Sequence, residues 1–277
     1  MIKSDWGTWL IDTIESSDPE TLTAWYLGCN GIALKGTDGA TVYIDPYLGL
    51  GDPPRTVRML PVPFDPETPS MADAILVTHE HTDHLHGPTI GPMLESTGAT
   101  LFAPQTCIDL TRDRGWTDTY DISDEQFVPI RPGYRTDIGE LQLAVFDCHD
   151  PDADESVTYV LSDGKHTVVH CADGRPSDVL ERIGGQYEVD IAFAAFGSRG
   201  MIPDKKTREP TITTWYNDTN DIVTMGYQLR AAQLVPTHWD MWKGMTADPF
   251  SLIENRRSLP YPERITCIEI GDSVAPR

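Results

Sequence analysis

Four of the eight histidines in the chain fall between residues 79 and 86, in the segment Thr78-His79-Glu80-His81-Thr82-Asp83-His84-Leu85-His86-Gly87. The four residues before it, Ala74-Ile75-Leu76-Val77, form an uninterrupted apolar run, the pattern of a strand buried on both faces. Chemistry placed just past the end of a buried strand is the usual arrangement in layered α/β proteins. Neutral imidazole and carboxylate are ligands for borderline divalent ions, Zn²⁺ or Mn²⁺, with Fe²⁺ also compatible. In an extended or tightly turned segment, His79 and His81 point to one ion while Asp83 and His84 reach a second. The sequence therefore predicts one or two divalent metal ions.

One segment cannot close such a site, since each ion needs further protein ligands and an open position. Three later strand ends supply candidates. Asp147-Cys148-His149-Asp150 follows Leu141 to Phe146, Asp173-Gly174 follows Thr167 to Ala172, and His238 follows Leu234 to Thr237. A carboxylate such as Asp173 has two oxygens and reduces the repulsion between two cations, so it suits a bridging place.

The rest of the chain alternates between strand and helix patterns. A helix is predicted over Trp6–Ile14, where Trp6, Trp9, Leu10 and Ile14 recur at spacings of three and four. Strands follow at Thr23–Leu27, Ile32–Lys35 and Thr41–Asp45, the first two separated by Gly28-Cys29-Asn30-Gly31. Six prolines between Pro53 and Pro69 forbid regular structure there and predict a long ordered loop. Further strands are expected at Thr100–Ala103, Phe127–Ile130, Leu141–Phe146, Ser156–Leu161, His166–His170, Ile191–Phe196, Gln233–Pro236 and Arg264–Ile270. Helices are expected near Pro88–Ser96, after Pro104, at Ser177–Ile183 and at Asp221–Ala232. Strands outnumber helices, and a two-sheet sandwich with helices outside fits this order better than a doubly wound parallel sheet. The 277 residues read as a single hydrolase domain, 1–277.

The H-x-H-x-D-H spacing, the later strand-end histidine, Asp173-Gly174 and the distal His238 together resemble the metallo-β-lactamase superfamily. That resemblance implies an αββα four-layer sandwich, two mixed sheets packed face to face with helices outside. Trp6-Gly7-Thr8-Trp9-Leu10, Trp25 to Ile32, Gly197 to Gly200 with Asp204-Lys205, and Pro236 to Trp242 are similar to the L-ascorbate-6-phosphate lactonase family, a likeness running from residue 6 to about 249. It implies His79 and His81 on a first metal, Asp83, His84 and His238 on a second, and Asp173 between them. His149 stands where the superfamily has its third histidine, with Asp150 or Asp147 as alternatives.

The implied chemistry is opening of a sugar-acid lactone, or its phosphate, by a hydroxide held between two metals, with catalytic roles for Asp83 and Asp173 and Asp83 helping the alkoxide to leave. Arg199, with bidentate geometry, and Lys205, as a point charge, would hold a substrate phosphate. His170 would donate to a ligand carboxylate, and Asp240 would orient the His238 ring. The segment from Gly197 to Lys205 is spaced differently from the family's version, so the substrate inference rests on analogy.

Charge narrows the partners. With 43 Asp and Glu against 21 Lys and Arg, the formal net charge is -22, which repels polyphosphates and acidic lipid headgroups. Nucleic acid and membrane are excluded as default partners, leaving a small anionic metabolite; a homo-oligomer is compatible. Five scattered cysteines without a C-x-x-C pair do not make a disulfide framework or a thiolate zinc site. The first 17 residues lack a secretory signal pattern, and no run approaches a membrane span, so a cytoplasmic protein is expected.

Several residues read more simply as structural: His86 as a surface or supporting group, His170 as a satisfied core residue, Cys148 and Cys171 as core fillers, and Trp239, Trp242 and Tyr26 as core aromatics. Two rival functions stand beside the lactonase. One is a phosphodiesterase acting on a small or cyclic nucleotide; the other is a metal- or ligand-binding module without turnover.

Overall fold

Residue parity along the strands decides which side chain enters which layer. The computed structural model describes residues 2–53, 56–204, 207–255 and 265–276. The first half contains helix α1 (Trp9–Ser16) and strands β1 (Thr23–Gly28), β2 (Gly31–Lys35), β3 (Thr41–Ile44) and β4 (Ala74–Leu76). It continues through α2 (Gly87–Thr97), β5 (Thr100–Pro104), α3 (Gln105–Asp113), α4 (Trp116–Thr119) and β6 (Phe127–Ile130). The second half holds β7 (Arg135–Ile138), β8 (Leu141–Asp147), β9 (Val157–Ser162), β10 (Thr167–His170), α5 (Asp178–Gln186), β11 (Ile191–Ala195), β12 (Ser198–Pro203) and β13 (Pro210–Trp215). Helix α6 (Thr219–Leu229), β14 (Gln233–Thr237), α7 (Phe250–Asn255) and β15 (Ser273–Val274) follow.

In β1, Ala24 and Tyr26 join one apolar cluster while Trp25 and Leu27 join another. Successive side chains of a strand point to opposite faces, so both faces of this sheet are covered. The first cluster also takes Leu143 and Val145 of β8, Tyr159 of β9 and Phe193 of β11, so it fills the space between two sheets. The second packs Leu10 and Ile14 of α1, Met93 of α2 and Ile108 of α3 on the outside of the first sheet. A third packs Leu180 and Ile183 of α5 and Ile222 and Met225 of α6 on the outside of the second. The layers are helix, sheet, sheet, helix.

The first sheet has strand order β15-β1-β2-β3-β4-β5-β6 and the second β14-β11-β10-β9-β8-β7. Both are mixed: β1, β2 and β3 pair antiparallel and β3 to β6 parallel, while β7 to β10 pair antiparallel and β10, β11 and β14 parallel. This is the α/β sandwich of two mixed sheets expected from the sequence.

The differences are local. Helix α1 begins at Trp9 rather than Trp6, because Gly7 has φ 65, a left-handed conformation that a helix cannot contain. Its C-terminal end is closed by buried Lys35, whose ammonium donates to the carbonyl oxygens of Ile14, Glu15 and Ser17 at 3.0, 2.9 and 2.7 Å. The expected strand Arg264–Ile270 reduces, within the described residues, to a bridge from Ile265 to Leu234, and residue 264 lies outside them. Strands β7, β12, β13 and β15 were not anticipated. The proline-rich loop is irregular, as expected, and Arg58 orders it by donating to the carbonyls of Tyr47, Gly49, Leu60 and Pro61. Among the described residues, no helix is long and apolar enough to cross a membrane.

Candidate metal centre

Five strand ends and one turn converge on a single rim of the sandwich. The first sheet contributes the β1–β2 turn with Cys29 and Asn30, Asp45 just after β3, and Thr78 to His84 after β4; the second contributes Asp150 after β8, Asp173 after β10 and His238 after β14. The two sheets are locked together at this rim. Buried Tyr159 donates its hydroxyl to the Val77 carbonyl at 2.6 Å, and the Val157 amide donates to the Thr78 carbonyl at 3.1 Å. The histidine segment therefore starts from a point that cannot drift relative to the second sheet.

Buried Asp45 sets the histidine tautomers. It accepts from the Thr78 amide at 2.8 Å, the Thr78 hydroxyl at 2.6 Å and His84 Nδ1 at 2.8 Å. The Thr78 hydroxyl spends its one proton on Asp45, so its 2.9 Å contact with His79 Nδ1 is donated by the imidazole. Both rings thus carry their proton on Nδ1 and turn Nε2 toward the rim, the orientation that a supporting carboxylate imposes on metal-binding histidines. Burial raises the Asp45 pKa, but the charge and hydrogen bond of His84 outweigh it and hold the carboxyl below its ordinary value.

His79 Nε2 lies 2.9 Å from His81 Nδ1 and 3.9 Å from Asp150 Oδ2. His84 Nε2 lies 3.5 Å from Asp173 Oδ2, which is 3.8 Å from His238 Nε2. The other oxygen of Asp173 accepts from the Asn30 side-chain amide at 3.0 Å, and the Asn30 side-chain carbonyl accepts from the Thr237 hydroxyl at 2.6 Å. Asp173 is thereby held with Oδ2 between two imidazoles. Gly174 leaves room for this turn, since a Cβ there would lie 2.5 Å from Cys148 Sγ. His238 Nε2 is 3.4 Å from Asp83 Oδ2, and its ring stacks on Tyr216 with centroids 4.0 Å apart.

Among the described residues, three sets of ligand atoms each lie within 4.8 Å of one another: His79, His81 and Asp150; His79, His84 and Asp173; and Cys29, Asp83 and His238. His84 Nε2 and Asp150 Oδ2 are buried without a hydrogen-bond partner. An unsatisfied buried polar atom costs about 1–3 kcal/mol, and a cation removes that cost. Burial depresses His79 to about 3, so its Nε2 lone pair stays free of a proton at neutral pH. The donor set fits divalent ions.

The structure redistributes some expected roles. His149 is exposed and takes part through its backbone carbonyl, which accepts from the Arg175 amide at 2.7 Å; Asp150 is the third-loop side chain that faces His79. Asp147, the other alternative, is exposed on β8. His170 donates Nε2–H to the Asn30 carbonyl at 2.8 Å rather than to a ligand carboxylate, and its Nδ1 accepts from the Ala172 amide at 3.3 Å, so it acts on Asp173 through Asn30 and through the backbone just before it. Asp240 meets the Tyr26 hydroxyl at 3.0 Å instead of the His238 ring. Burial pushes the Asp83 pKa up, but the hydrogen bond from His238 and the neighbouring imidazoles overcome it and hold the carboxyl below its ordinary value. Arg199 is exposed on β12, opposite Thr214 in the hairpin ladder, and Lys205 lies outside the described residues.

Four residues at the rim escaped sequence reading: Cys29, Asn30, Asp45 and Tyr216. Asp45 and Cys29 left a trace, each a polar or sulfur-bearing residue where an apolar strand gives out. Backbone conformation gives a stronger one. Cys29, Asp45, Ala172, Tyr216 and His238 all have positive φ, five of the seven such non-glycine residues described. Each costs on the order of 1 kcal/mol, and strain of this kind collects where side chains must be aimed.

Residues 40–239 match the family described as "Beta-lactamase superfamily domain". A probable L-ascorbate-6-phosphate lactonase of Escherichia coli O45:K1 is 27% identical over 292 aligned residues, covering 88% of this chain and 77% of the relative. A metallo hydrolase from the hyperthermophilic archaeon Ignicoccus hospitalis superposes with a TM-score of 0.64 at 18% identity, covering 91% of this chain and 97% of that one. A metallo-beta-lactamase fold protein from Bacillus subtilis superposes with a TM-score of 0.61 at 14% identity, covering 91% and 98%. At these identities the structural likeness concerns the fold.

Proposed function

Since the chain belongs to the beta-lactamase superfamily domain family, we propose that it is a metal-dependent hydrolase, and more specifically a lactonase that opens a sugar-acid lactone or its phosphate, with L-ascorbate 6-phosphate as the type of substrate. The observation that carries the hydrolase reading is the rim itself, where His84 Nε2 and Asp150 Oδ2 are buried, unpartnered and surrounded by further imidazoles and carboxylates. The lactone is favoured by the 27% identity to a lactonase across 88% of the chain. Five free cysteines fit a reducing, cytoplasmic setting.

In this reading His79, His81 and Asp150 hold one ion, Asp83 and His238 hold the other, and Asp173 with His84 stands between. Zn²⁺ or Mn²⁺ bound there supplies Lewis acidity that brings the pKa of water from about 16 toward neutrality. The residues around them do the positioning. Asp45 and Thr78 keep two imidazoles in the binding tautomer, and Asn30 holds Asp173 in place. Arg199 meets the phosphate of an incoming small anionic metabolite from the β12–β13 hairpin, whose chain continues directly into Tyr216 against His238.

The test is a hydrolysis panel on metal-free protein reloaded with Zn²⁺ or Mn²⁺: lactones with and without phosphate, phosphodiesters and phosphomonoesters. Metal-dependent lactone opening, lost on chelation, is the expected result. Turnover of phosphodiesters alone replaces the lactonase by a phosphodiesterase, and full metal loading without any hydrolysis replaces it by a binding module.

A further inference from the structure

The mechanism above makes no use of Cys29. This residue sits in the β1–β2 turn with φ 58 and is fully buried. Its Sγ lies 3.4 Å from His238 Nε2 and 3.8 Å from Asp83 Oδ2, and those two atoms are 3.4 Å apart. We propose that Cys29 is a metal ligand, so that the Asp83 and His238 position is a sulfur-containing site selective for a thiophilic ion such as Zn²⁺ over Mn²⁺.

Three points argue for it. The first is size. A tetrahedral ion with Zn–S of about 2.3 Å and Zn–N and Zn–O of about 2.0–2.1 Å needs donor–donor edges of about 3.6 Å from sulfur and about 3.4 Å between nitrogen and oxygen. The observed triangle of 3.4, 3.8 and 3.4 Å has those dimensions. The second is direction. The Cys29 carbonyl accepts from the His238 amide at 2.6 Å, so the turn and the distal histidine are tied to each other and both side chains face Asp83.

The third is the neighbouring vacancy in hydrogen bonding. His84 Nε2, buried and without a hydrogen-bond partner, is aimed at Asp173 Oδ2, which also faces His238 Nε2, so an imidazole nitrogen independent of the cysteine points into the group of ligand atoms that adjoins Cys29. Thiolate is a soft ligand, and sulfur in a mixed donor set favours Zn²⁺ over the oxygen-preferring Mn²⁺. As the ion binds, the S–H bond breaks, the electron pair becomes the S–metal bond, and the proton passes to solvent. The other position, made of imidazole and carboxylate alone, lacks the added preference that sulfur brings.

The inference rests on the metal-dependent reading, and the experiment separates the two. Full-length protein is stripped, loaded with Co²⁺ and followed in the near ultraviolet, where thiolate-to-cobalt charge transfer absorbs, with metal content measured in parallel. The expected result is a thiolate band in the wild type that is absent in Cys29→Ala and kept in Cys148→Ala, together with at least about a tenfold loss of Zn²⁺ affinity for one ion in Cys29→Ala while Mn²⁺ affinity changes less. X-ray absorption at the zinc edge of the wild type gives a second reading that needs no variant: one sulfur neighbour at about 2.3 Å. Full loading with no thiolate band and no sulfur neighbour overturns the ligand assignment and leaves the hydrolase reading standing, as does a band that survives Cys29→Ala. Failure to bind any ion overturns both.

Discussion

The metal-facing rim and the β12–β13 hairpin lie next to each other in the chain's path yet are built on opposite terms. At the rim, Asp45, His79, His84 and His238 are fully buried, and the carboxylate of Asp45 alone accepts three hydrogen bonds. On the hairpin, exposure alternates along β12 and prevails along β13, Met201 and Ile212 face each other across the ladder at 64% and 59% exposure, and among the described residues the two strands pair with no third. Groups that must be aimed within fractions of an ångström sit where packing and hydrogen bonds over-determine them, and groups that meet variable chemistry sit on a tethered, solvent-facing element. On the proposed function, the difference separates metal binding and turnover, assigned to the rim, from substrate choice, assigned to the hairpin.

The largest effect is expected from Asp173→Ala, which removes the oxygen shared between His84 and His238. Turnover falls by at least about 10³-fold together with metal content, measured by steady-state kinetics and elemental analysis; retained activity in a metal-poor variant breaks the division of labour at its centre. Arg199→Ala is the corresponding probe of the hairpin. KM for a phosphorylated lactone rises about tenfold, while kcat, metal content and KM for the unphosphorylated lactone stay unchanged, because a charge-assisted contact made equally in ground and transition states is lost. A fall in metal content there merges the two regions. The smallest effect, under about twofold in kcat/KM, is expected for exposed His149→Ala, against loss of one ion in the adjacent Asp150→Ala. Elemental analysis of this pair decides which residue of the third loop belongs to the rim.

Much of the rim was legible because its ligands follow strand ends, and strand ends are visible as the places where apolar alternation stops. His79, His81, Asp83, His84, Asp173 and His238 come together as their positions implied. The third loop was read less well, since Asp147, His149 and Asp150 are all capable donors within four residues. What decides among them is the turn after β8, where the Arg175 amide takes the His149 carbonyl and leaves Asp150 facing His79.

Asp45 was hidden for a different reason. A single carboxylate after Thr41–Ile44 has no local partner, and its role depends on Thr78 and His84, which lie more than thirty residues away in the chain. Likewise His170 and Asp240 looked like direct supports because they flank ligands in sequence, whereas the bonds they make run to Asn30 and Tyr26. The hairpin was missed although Thr211 to Trp215 is rich in β-branched residues, since a strand with no fully buried residue carries no apolar alternation to mark it.

The rim draws His79, His81 and Asp83 from one sheet and Asp150, Asp173 and His238 from the other. An ion seated there is a clasp across the sandwich. It would close long loops of chain in addition to the hydrogen bonds that already join the sheets there, and any ligand bound solely by the folded state adds its binding free energy to folding. On that reading the lifetime of the folded protein would be tied to the metal supply of its surroundings: chains made during metal scarcity would lose turnover and durability together and be more readily presented to proteases.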